Sequence, residues 1–467
     1  MSAPVVVIGA GVGGLSAALR LAQSGFSLTV FEARAQAGGL ASGVCYEEFS
    51  FDAGPYILLD QPGLAWAFER LRLDLPSCLP LLPIDDVYEV ESADGTRVRF
   101  YSDLEKTAAG FEKQWPGSGI RYRNFVHRME RISRALRPML QVSRPSPLAM
   151  VRTAAWIHGP FLLRSLGSVL ADSRLPHPVI EAMAIWTHVA GQTRNQAPSP
   201  LAFVPALMHS VGSYYPKGGI RRVPQVLEQA AVAAGVRFCY STKVNRLHTS
   251  NGAVTGVTTS TGEFVPAAAV VSNSAALHTY LNLLDVPPPA LAARLKQLPL
   301  QSPGVCAYLA IRGRINPPYL AFKLPDPEEL CRLLIRASIM DPQVQDGWSP
   351  ARLLAPMKYE DAERLGPAGQ AQHLDRLLEE DWWRKGLEVR VLAKRTAQQW
   401  GDEYHLYANS MNPVMTARFM RQGRVAHRSP CVKGLYLAGS STHPGQWVSF
   451  CAISGVLAAD CLIADLG

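Results

Sequence analysis

The feature that most constrains this chain is its first forty residues. An apolar β-branched run, Val5-Val6-Val7-Ile8, leads directly into Gly9-Ala10-Gly11-Val12-Gly13-Gly14. From Leu15 to Ala22 apolar and small residues fit a helix with one buried face, and a second apolar run, Phe26 to Phe31, ends on Glu32. Strand, glycine turn, helix, strand and acid in that order read as a dinucleotide-binding βαβ unit. Gly9 lets the chain turn sharply off the strand, Gly11 lets backbone approach a pyrophosphate with no side chain between, and Gly14 lets helix and strand pack closely. The pyrophosphate then lies on unpaired N–H groups at the positive end of the helix. Glu32 is placed to accept ribose hydroxyl protons, and its charge argues against the 2′-phosphate of NADP. The motif leaves FAD and NAD both open.

The residues that follow narrow the choice. Glu32-Ala33-Arg34 is followed by a second glycine pair, Gly38-Gly39, before Leu40, and then by Phe51-Asp52-Ala53-Gly54-Pro55-Tyr56. Here the sequence resembles the FAD-dependent amine oxidase superfamily, and in particular its phytoene desaturase branch. The resemblance implies that Glu32, Ala33, Arg34, Gly38, Gly39 and Leu40 continue the FAD contact. It also implies that Gly54, Pro55 and Tyr56 run beside the flavin, with Tyr56 where the family often has threonine. Tyr215-Pro216-Lys217-Gly218-Gly219 is similar to the YPxGG segment at which the family re-enters its FAD domain. In related flavoproteins the backbone at the position of Val244 meets the adenine, and the strand Val270-Val271-Ser272 ends at Asn273, where family members have Asn-Ala.

A second diagnostic stretch lies near the C-terminus, Gly434-Leu435-Tyr436-Leu437-Ala438-Gly439-Ser440-Ser441-Thr442-His443-Pro444-Gly445. It resembles the C-terminal flavin motif of phytoene desaturases, where GxxTHPG is common, so Gly439, Ser440, Ser441 and His443 are expected at the cofactor. A helix is expected from near Phe450 to Ile463, with Ala452, Ser454, Gly455 and Ala458 permitting close packing. Its N-terminus would stabilise the anion that reduction creates on a flavin. The chain then departs from the desaturase pattern: Gln446-Trp447-Val448-Ser449 stands where further glycines are usual. Amine oxidases carry a tryptophan close to this place, followed by residues whose backbone N–H reaches the flavin. Trp447, Val448 and Ser449 are therefore expected at the flavin edge, and Trp447 shifts the substrate away from that of an ordinary carotenoid desaturase.

The family's fold would be an α/β, two-domain GR2-type flavoprotein. Its Rossmann-like FAD domain would be assembled from residues 1–75, 213–285 and 425–467, and its mixed α+β substrate domain from 76–212 and 286–424. A hairpin of Val87–Val90 and Thr96–Phe100 would open the substrate domain. Within it, 120–208 is both basic and apolar. Arginine recurs at 121, 123, 128, 131, 134 and 137 with Phe125, Met129, Ile132 and Leu136 between. That pattern is either a solvated helix face or a helix lying on a membrane surface. The stretch Pro138 to Met208 reads either as helical core or as an apolar tunnel mouth resting on lipid. Helices are also expected over 61–75, 223–234 and 370–385, and an Asn251-Gly252 hairpin turn between alternating runs.

Composition bounds the remaining possibilities. The 467 residues suffice for two or more domains, and a net charge of +8 suits an anionic membrane surface or an acidic partner. No zinc spacing or RNP-like motif supports nucleic acid. The eight cysteines form no CxxC and mostly sit among apolar neighbours, which reads as reduced core thiols, with no metal site or disulfide framework. The glycine motif starts within ten residues of Met1 and no uninterrupted apolar run reaches membrane-spanning length, so a cytoplasmic protein, or one peripheral on the cytoplasmic membrane face, is expected.

Catalytic residues have no sequence signature here. His443 sits in the flavin motif, where it could cap the loop or move a proton. Lys358 can be compared with the lysine that amine oxidases hold near flavin N5, but no local motif supports it. Hydride removal by FAD needs few protein acids or bases, because the isoalloxazine is the electrophile. Three readings stand. The first is an FAD-dependent desaturase or isomerase acting on a long apolar isoprenoid such as a carotenoid, with a quinone or oxygen as electron acceptor. The second is an amine-type oxidase on a small or secondary-metabolite substrate. The third is a flavin-binding protein without redox turnover.

Overall fold

A computed structural model describes residues 4–313, 316–326, 329–384 and 386–467. The strand Val5–Ile8 is the centre of a five-stranded parallel sheet. It pairs on one side with Leu28–Phe31, which pairs with Arg237–Cys239, and on the other with Ala269–Ser272, which pairs with Leu435–Leu437. All four residues of Val5–Ile8 are buried, as continuous β-branched runs are in parallel sheets covered on both faces. A three-stranded antiparallel meander, Val244–Ser250, Ala253–Thr259 and Phe264–Pro266, stands beside this sheet. Its first turn places Asn251 and Gly252 at φ 49° and 74°, the two positive angles a tight hairpin turn requires.

The other large sheet has seven strands in the order Val389–Arg395, Val305–Arg312, Trp348–Ala355, Arg332–Ile335, Leu320–Lys323, Asp86–Glu91, Arg97–Tyr101. Only Leu320–Lys323 and Asp86–Glu91 pair in parallel; the rest are antiparallel. Helices and short helical turns from Leu104 to Ser210 cover one end of it, and Tyr88, Phe100, Phe111 and Tyr122 meet there as a buried aromatic cluster.

The first helix, Val12–Ala22, is covered by the helix Val448–Leu466. The contact depends on a missing side chain. A Cβ on Gly455 would lie 2.1 Å from the Gly13 carbonyl oxygen and 2.7 Å from Ser16 Cβ. Val448–Leu466, though interrupted by Asp460 and Asp465, is long and apolar enough on average to cross a membrane, but 67% of its apolar window is buried inside the protein.

Several expectations are corrected. Residues 61–75 do not form one helix: Gln61–Arg70 ends, Arg72 takes φ 55°, and Asp74 caps a new turn, Leu75–Cys78. Residues 370–385 fall in a longer helix, Tyr359–Glu379, kinked at Gly366-Pro367, followed by Asp381–Arg384; Lys385 lies outside the described residues. The closing helix begins at Val448 rather than Phe450. All eight cysteines are free thiols, yet only Cys306, Cys331 and Cys461 are buried, while Cys45 and Cys431 are exposed.

The arginines of the basic helix Ser118–Leu136 are mostly engaged. Arg123 pairs with Glu105, Arg128 with Asp172 and Arg134 with Glu130, and Arg121 donates to the Arg174 carbonyl. Its apolar residues Phe125, Met129, Ile132 and Leu136 are buried in the core. The helix thus has a buried apolar face and a largely ion-paired basic outer face.

Gly455→Ala is expected to destabilise the fold by at least the roughly 1–3 kcal/mol typical of overpacking. Gly110→Ala, in a helix with nothing within 4 Å of the new Cβ, should instead be neutral or stabilising by about 0.5–1 kcal/mol. Urea unfolding of both variants beside wild type checks the contrast.

Candidate functional site

Both glycine motifs converge on Asn273. Its backbone N–H donates to Ile8 O at 2.8 Å, and its side chain fills the space that a Cβ on Gly11, Gly13 or Gly439 would need, at 2.6, 2.6 and 2.5 Å. The first turn of Val12–Ala22 carries no side-chain cap, so its N–H groups lack a side-chain partner. Gly14 lies behind this turn, where a Cβ would stand 2.0 Å from Gly9 O, so it serves helix–strand packing and does not line the cavity.

The carboxylate of Glu32, at the end of the second strand, accepts the N–H of Ala10 at 2.7 Å and of Arg34 at 2.9 Å. Burial pushes its pKa up, partly offset by those bonds. Glu32 thus holds the glycine turn in place, and each oxygen keeps a lone pair for a ribose hydroxyl. Arg34 stacks over Tyr404 at 4.1 Å, pairs with Glu403 at 3.2 Å and donates to Ser42 Oγ at 3.0 Å.

The Phe51–Tyr56 loop is fixed from two directions. Asp52 accepts the Tyr215 hydroxyl at 2.7 Å and the Ile220 N–H at 2.8 Å, which ties the loop to the Tyr215–Gly219 segment. Arg352, on the inner strand Trp348–Ala355 of the large sheet, donates to the carbonyls of Asp52, Ala53 and Gly54 at 2.5, 2.6 and 2.7 Å. A guanidinium has five N–H donors in a rigid fork, so it can gather successive carbonyls in this way.

The Gly439–Gly445 loop is anchored by buried polar contacts. Ser440 Oγ donates to Asn412 Oδ1 at 2.7 Å, and Ser441 Oγ accepts the Ala276 N–H at 3.1 Å; Ser441 faces the protein interior and not the cavity. His443 Nε2 lies 2.7 Å from Met139 O, which can only accept, so this nitrogen carries the proton. Burial lowers the His443 pKa to about 4, so the side chain is a neutral loop anchor. His427 is fully buried between Ser143 O (Nδ1, 3.0 Å) and Ser454 Oγ (Nε2, 3.3 Å), and Ser454 Oγ in turn accepts the Gly439 N–H at 2.9 Å.

These segments enclose one cavity of about 1240 Å³. Typical sites for a single small ligand span roughly 300–1,000 Å³, so the space exceeds what one such ligand needs. Its wall includes Gly9, Gly11, Gly13, Glu32, Ala33, Arg34, Gly38, Gly39, Leu40, Gly54, Pro55, Tyr56, Val244, Asn273, Gly439, Ser440, His443, Trp447, Val448 and Ser449. Of the expected site residues only Gly14 and Ser441 stand off it. Trp447 stacks on Phe450 at 4.9 Å, and Val448 and Ser449 open the closing helix, whose first N–H groups have no side-chain cap. Lys358 is exposed and does not line the cavity.

The cavity wall also holds residues the sequence reading missed. Asp60 is nearly fully buried, accepts the N–H of Gly63 and the hydroxyl of Ser449, and pairs with Arg137 at 3.2 Å. Asp60-Gln61-Pro62 is a recognisable helix start, but nothing local in the sequence announces Arg137 or Ser449 as its partners. Arg352, Asn412 and Arg424 likewise carry no local motif. Among the described residues no cluster of His, Cys, Asp and Glu could hold a metal ion.

The site's residues fit FAD: a side-chain-free glycine turn for a pyrophosphate, an acid beyond it, and an uncapped helix N-terminus far along the same cavity. Two outcomes are expected. Arg352→Gln leaves carbonyls unpaired at roughly 1–3 kcal/mol each, so the variant should retain much less FAD through dialysis, read by flavin absorbance. His427, neutral at a folded pKa of about 4 against 6.5 unfolded, contributes stability that is complete above pH 6.5 and is lost as the pH falls toward 4. Its share of the slope is up to about 1.4 kcal/mol per pH unit, and His427→Gln should lower the total slope by up to that amount in urea titrations across that window, the share of His188, His278 and His443 remaining.

Comparison with known proteins agrees with this geometry. The family model described as flavin containing amine oxidoreductase matches residues 12–318. A zeta-carotene-forming phytoene desaturase of Myxococcus xanthus is 28% identical, over 98% of this chain and 93% of that protein. A 4,4′-diapolycopene oxygenase of Methylomonas is 26% identical, over 99% and 98% respectively. The crystal structure of an oxidoreductase from Methanosarcina mazei matches the fold with a TM-score of 0.69 at 16% identity, over 99% of this chain and 100% of that one. The chain belongs to the flavin containing amine oxidoreductase family, as an FAD-dependent oxidoreductase of its phytoene desaturase-like branch.

Proposed function

We propose that this oxidoreductase desaturates or isomerises a long apolar isoprenoid of the carotenoid type. The observation that carries the reading is the continuation of the cavity beyond the FAD residues. Its wall passes to Leu136, Met139, Leu162, Phe203 and Leu207, all apolar and all from the helical stretch within 120–208. An extended hydrocarbon is bound by such a wall through area alone, at about 25 cal/mol per Å² removed from water. The names of the relatives at 23–28% identity, carotenoid desaturases and oxygenases, support the same substrate class. FAD would be held by residues from 1–75, 213–285 and 425–467, and the substrate by 76–212 and 286–424.

Bound FAD supplies the electron sink that takes a hydride from carbon. The chain's own residues do the rest. Gly11 and Gly13 admit the cofactor's backbone approach, and Arg352 and Asp52 set the Gly54–Tyr56 wall beside it. Asp60 and Arg137 hold Ser449 at the first turn of the closing helix, and the apolar wall excludes water from the reacting carbons. In desaturation a proton would leave the adjacent carbon as the hydride leaves its neighbour, and a quinone or oxygen would take up the two electrons; isomerisation would transfer none.

The route for such a substrate is a lipid surface. Leu148, Val151, Trp156, Ile157 and Leu163 are each more than half exposed, on a segment that also carries Arg144 and Arg152. Met150, Leu162 and Leu163 of this segment line the cavity. Exposed apolar residues flanked by arginines at a cavity mouth suit an anionic bilayer.

Anaerobic incubation of FAD-loaded protein with liposome-delivered carotenoids, beside a panel of soluble amines, tests the reading. Bleaching of the flavin by isoprenoids alone is expected; bleaching by amines alone would make it an amine-type oxidase, and bleaching by neither would remove the substrate from both classes. In vesicle flotation, replacing Leu148, Trp156 and Ile157 with serine should cut association with anionic liposomes about tenfold or more while leaving FAD bound.

A further inference from the structure

Arg424 is a cation on the cavity wall with no anion. It follows the helix Ala417–Gln422, and Nη1 donates to Ser440 O at 3.0 Å. Nε is buried with no acceptor, and Nη2 stands 3.2 Å from where a Cβ on Gly445 would be. Among the described residues no carboxylate pairs with it. The other buried or half-buried arginines of the wall are engaged: Arg34 with Glu403, Arg137 with Asp60, Arg352 with three carbonyls. Burial lowers the Arg424 pKa to about 10, while the neighbouring Cys451 acts to raise it. Arg424 is half-buried, with Nε out of water and unpartnered; a guanidinium in that position without a counter-charge is costly, so the site suits an anion that arrives to meet it.

The surroundings of Arg424 indicate which anion. Ser440, His443, Gly445 and Cys451 all lie on the loop leading into the closing helix or on that helix's first turn. None of its contacts is to the Gly9–Gly14 turn that receives a pyrophosphate. We propose that Arg424 is the fixed cation of the flavin ring. In this role its guanidinium, together with the uncapped N–H groups of Val448–Leu466, holds the negative charge that two-electron reduction leaves on the pyrimidine end of the isoalloxazine. A planar fork beside a helix N-terminus suits a delocalised anion better than either does alone. The assignment concerns how readily the bound flavin is reduced and is independent of the substrate.

The test uses FAD-loaded full-length protein and sulfite, a small anion that adds to flavins whose reduced form is stabilised by nearby positive charge. Arg424→Gln should weaken sulfite binding about tenfold or more, equivalent to a fall of about 30 mV in a two-electron midpoint potential, measured separately by dye equilibration. Arg424→Lys should recover most of both, and the FAD dissociation constant should change little in either variant. Unchanged sulfite affinity and potential overturn the proposal. If only FAD affinity falls, the charge serves the diphosphate instead. Should Arg424→Gln not fold, photoreduction of the wild type decides: the spectrum of an anionic flavin radical is expected, and that of the neutral radical overturns the assignment.

Discussion

The structure depends on three places where a side chain is absent. Gly13 and Gly439 meet on either side of Asn273, and Gly455 lets the closing helix rest against the backbone of the first. A methyl group at any of them would collide at 2.8 Å or less, so the parts of the chain farthest apart in sequence join by backbone contact. Close packing of this kind is what aligns two helix N-termini, Val12 and Val448, along one cavity. The electrostatics of the site are thus set by main-chain geometry before any charged side chain contributes.

Around that frame, charged groups act at long range. Arg352 reaches from the seven-stranded sheet to three successive carbonyls of the Phe51–Tyr56 loop, and Asp52 binds the same loop to Tyr215 and Ile220. Asp60 with Arg137 joins the helical segment to the closing helix through Ser449. Each cross-link is buried on at least one side, so a lost partner strands a polar group out of water. These bonds position the cavity wall more than they add stability, since the net gain from a satisfied buried pair is small.

Much of the architecture was legible in the sequence because its signals are local. The Val5–Ile8 run, the glycine turn and Glu32 are neighbours in the chain, and Asn251-Gly252 specifies a turn by its own backbone preferences. The flavin loop at Gly439–Gly445 was legible through family resemblance on the same local terms. What escaped was either competitive or remote. The start of the closing helix moved to Val448 because Trp447 takes an extended ψ of 156° just ahead of it, which composition does not encode. The break at Arg72 depends on a single left-handed residue in a pattern otherwise suited to a helix. Arg352, Arg424, Asn412 and the Asp60–Arg137 pair were invisible because each finds its partners far away in sequence. The basic helix shows the converse: its periodicity was plain, but the carboxylates that pair with Arg123 and Arg128, Glu105 and Asp172, come from other elements.

The position of Leu435–Leu437 also bears on how the protein is made. This strand is the edge of the parallel sheet, and the helix behind it covers one side of Val12–Ala22. During synthesis both come after every other element described above. Until they emerge from the ribosome, Ala269–Ser272 is an unpaired edge and the first helix has a bare apolar side, the two features most prone to mispairing in a nascent chain. The cavity also lacks its Gly439–Cys451 wall throughout that period. The complete cavity wall therefore exists only once residues through Cys451 have been made, and translation speed between Ser272 and Leu435 sets how long the half-built sheet stands open.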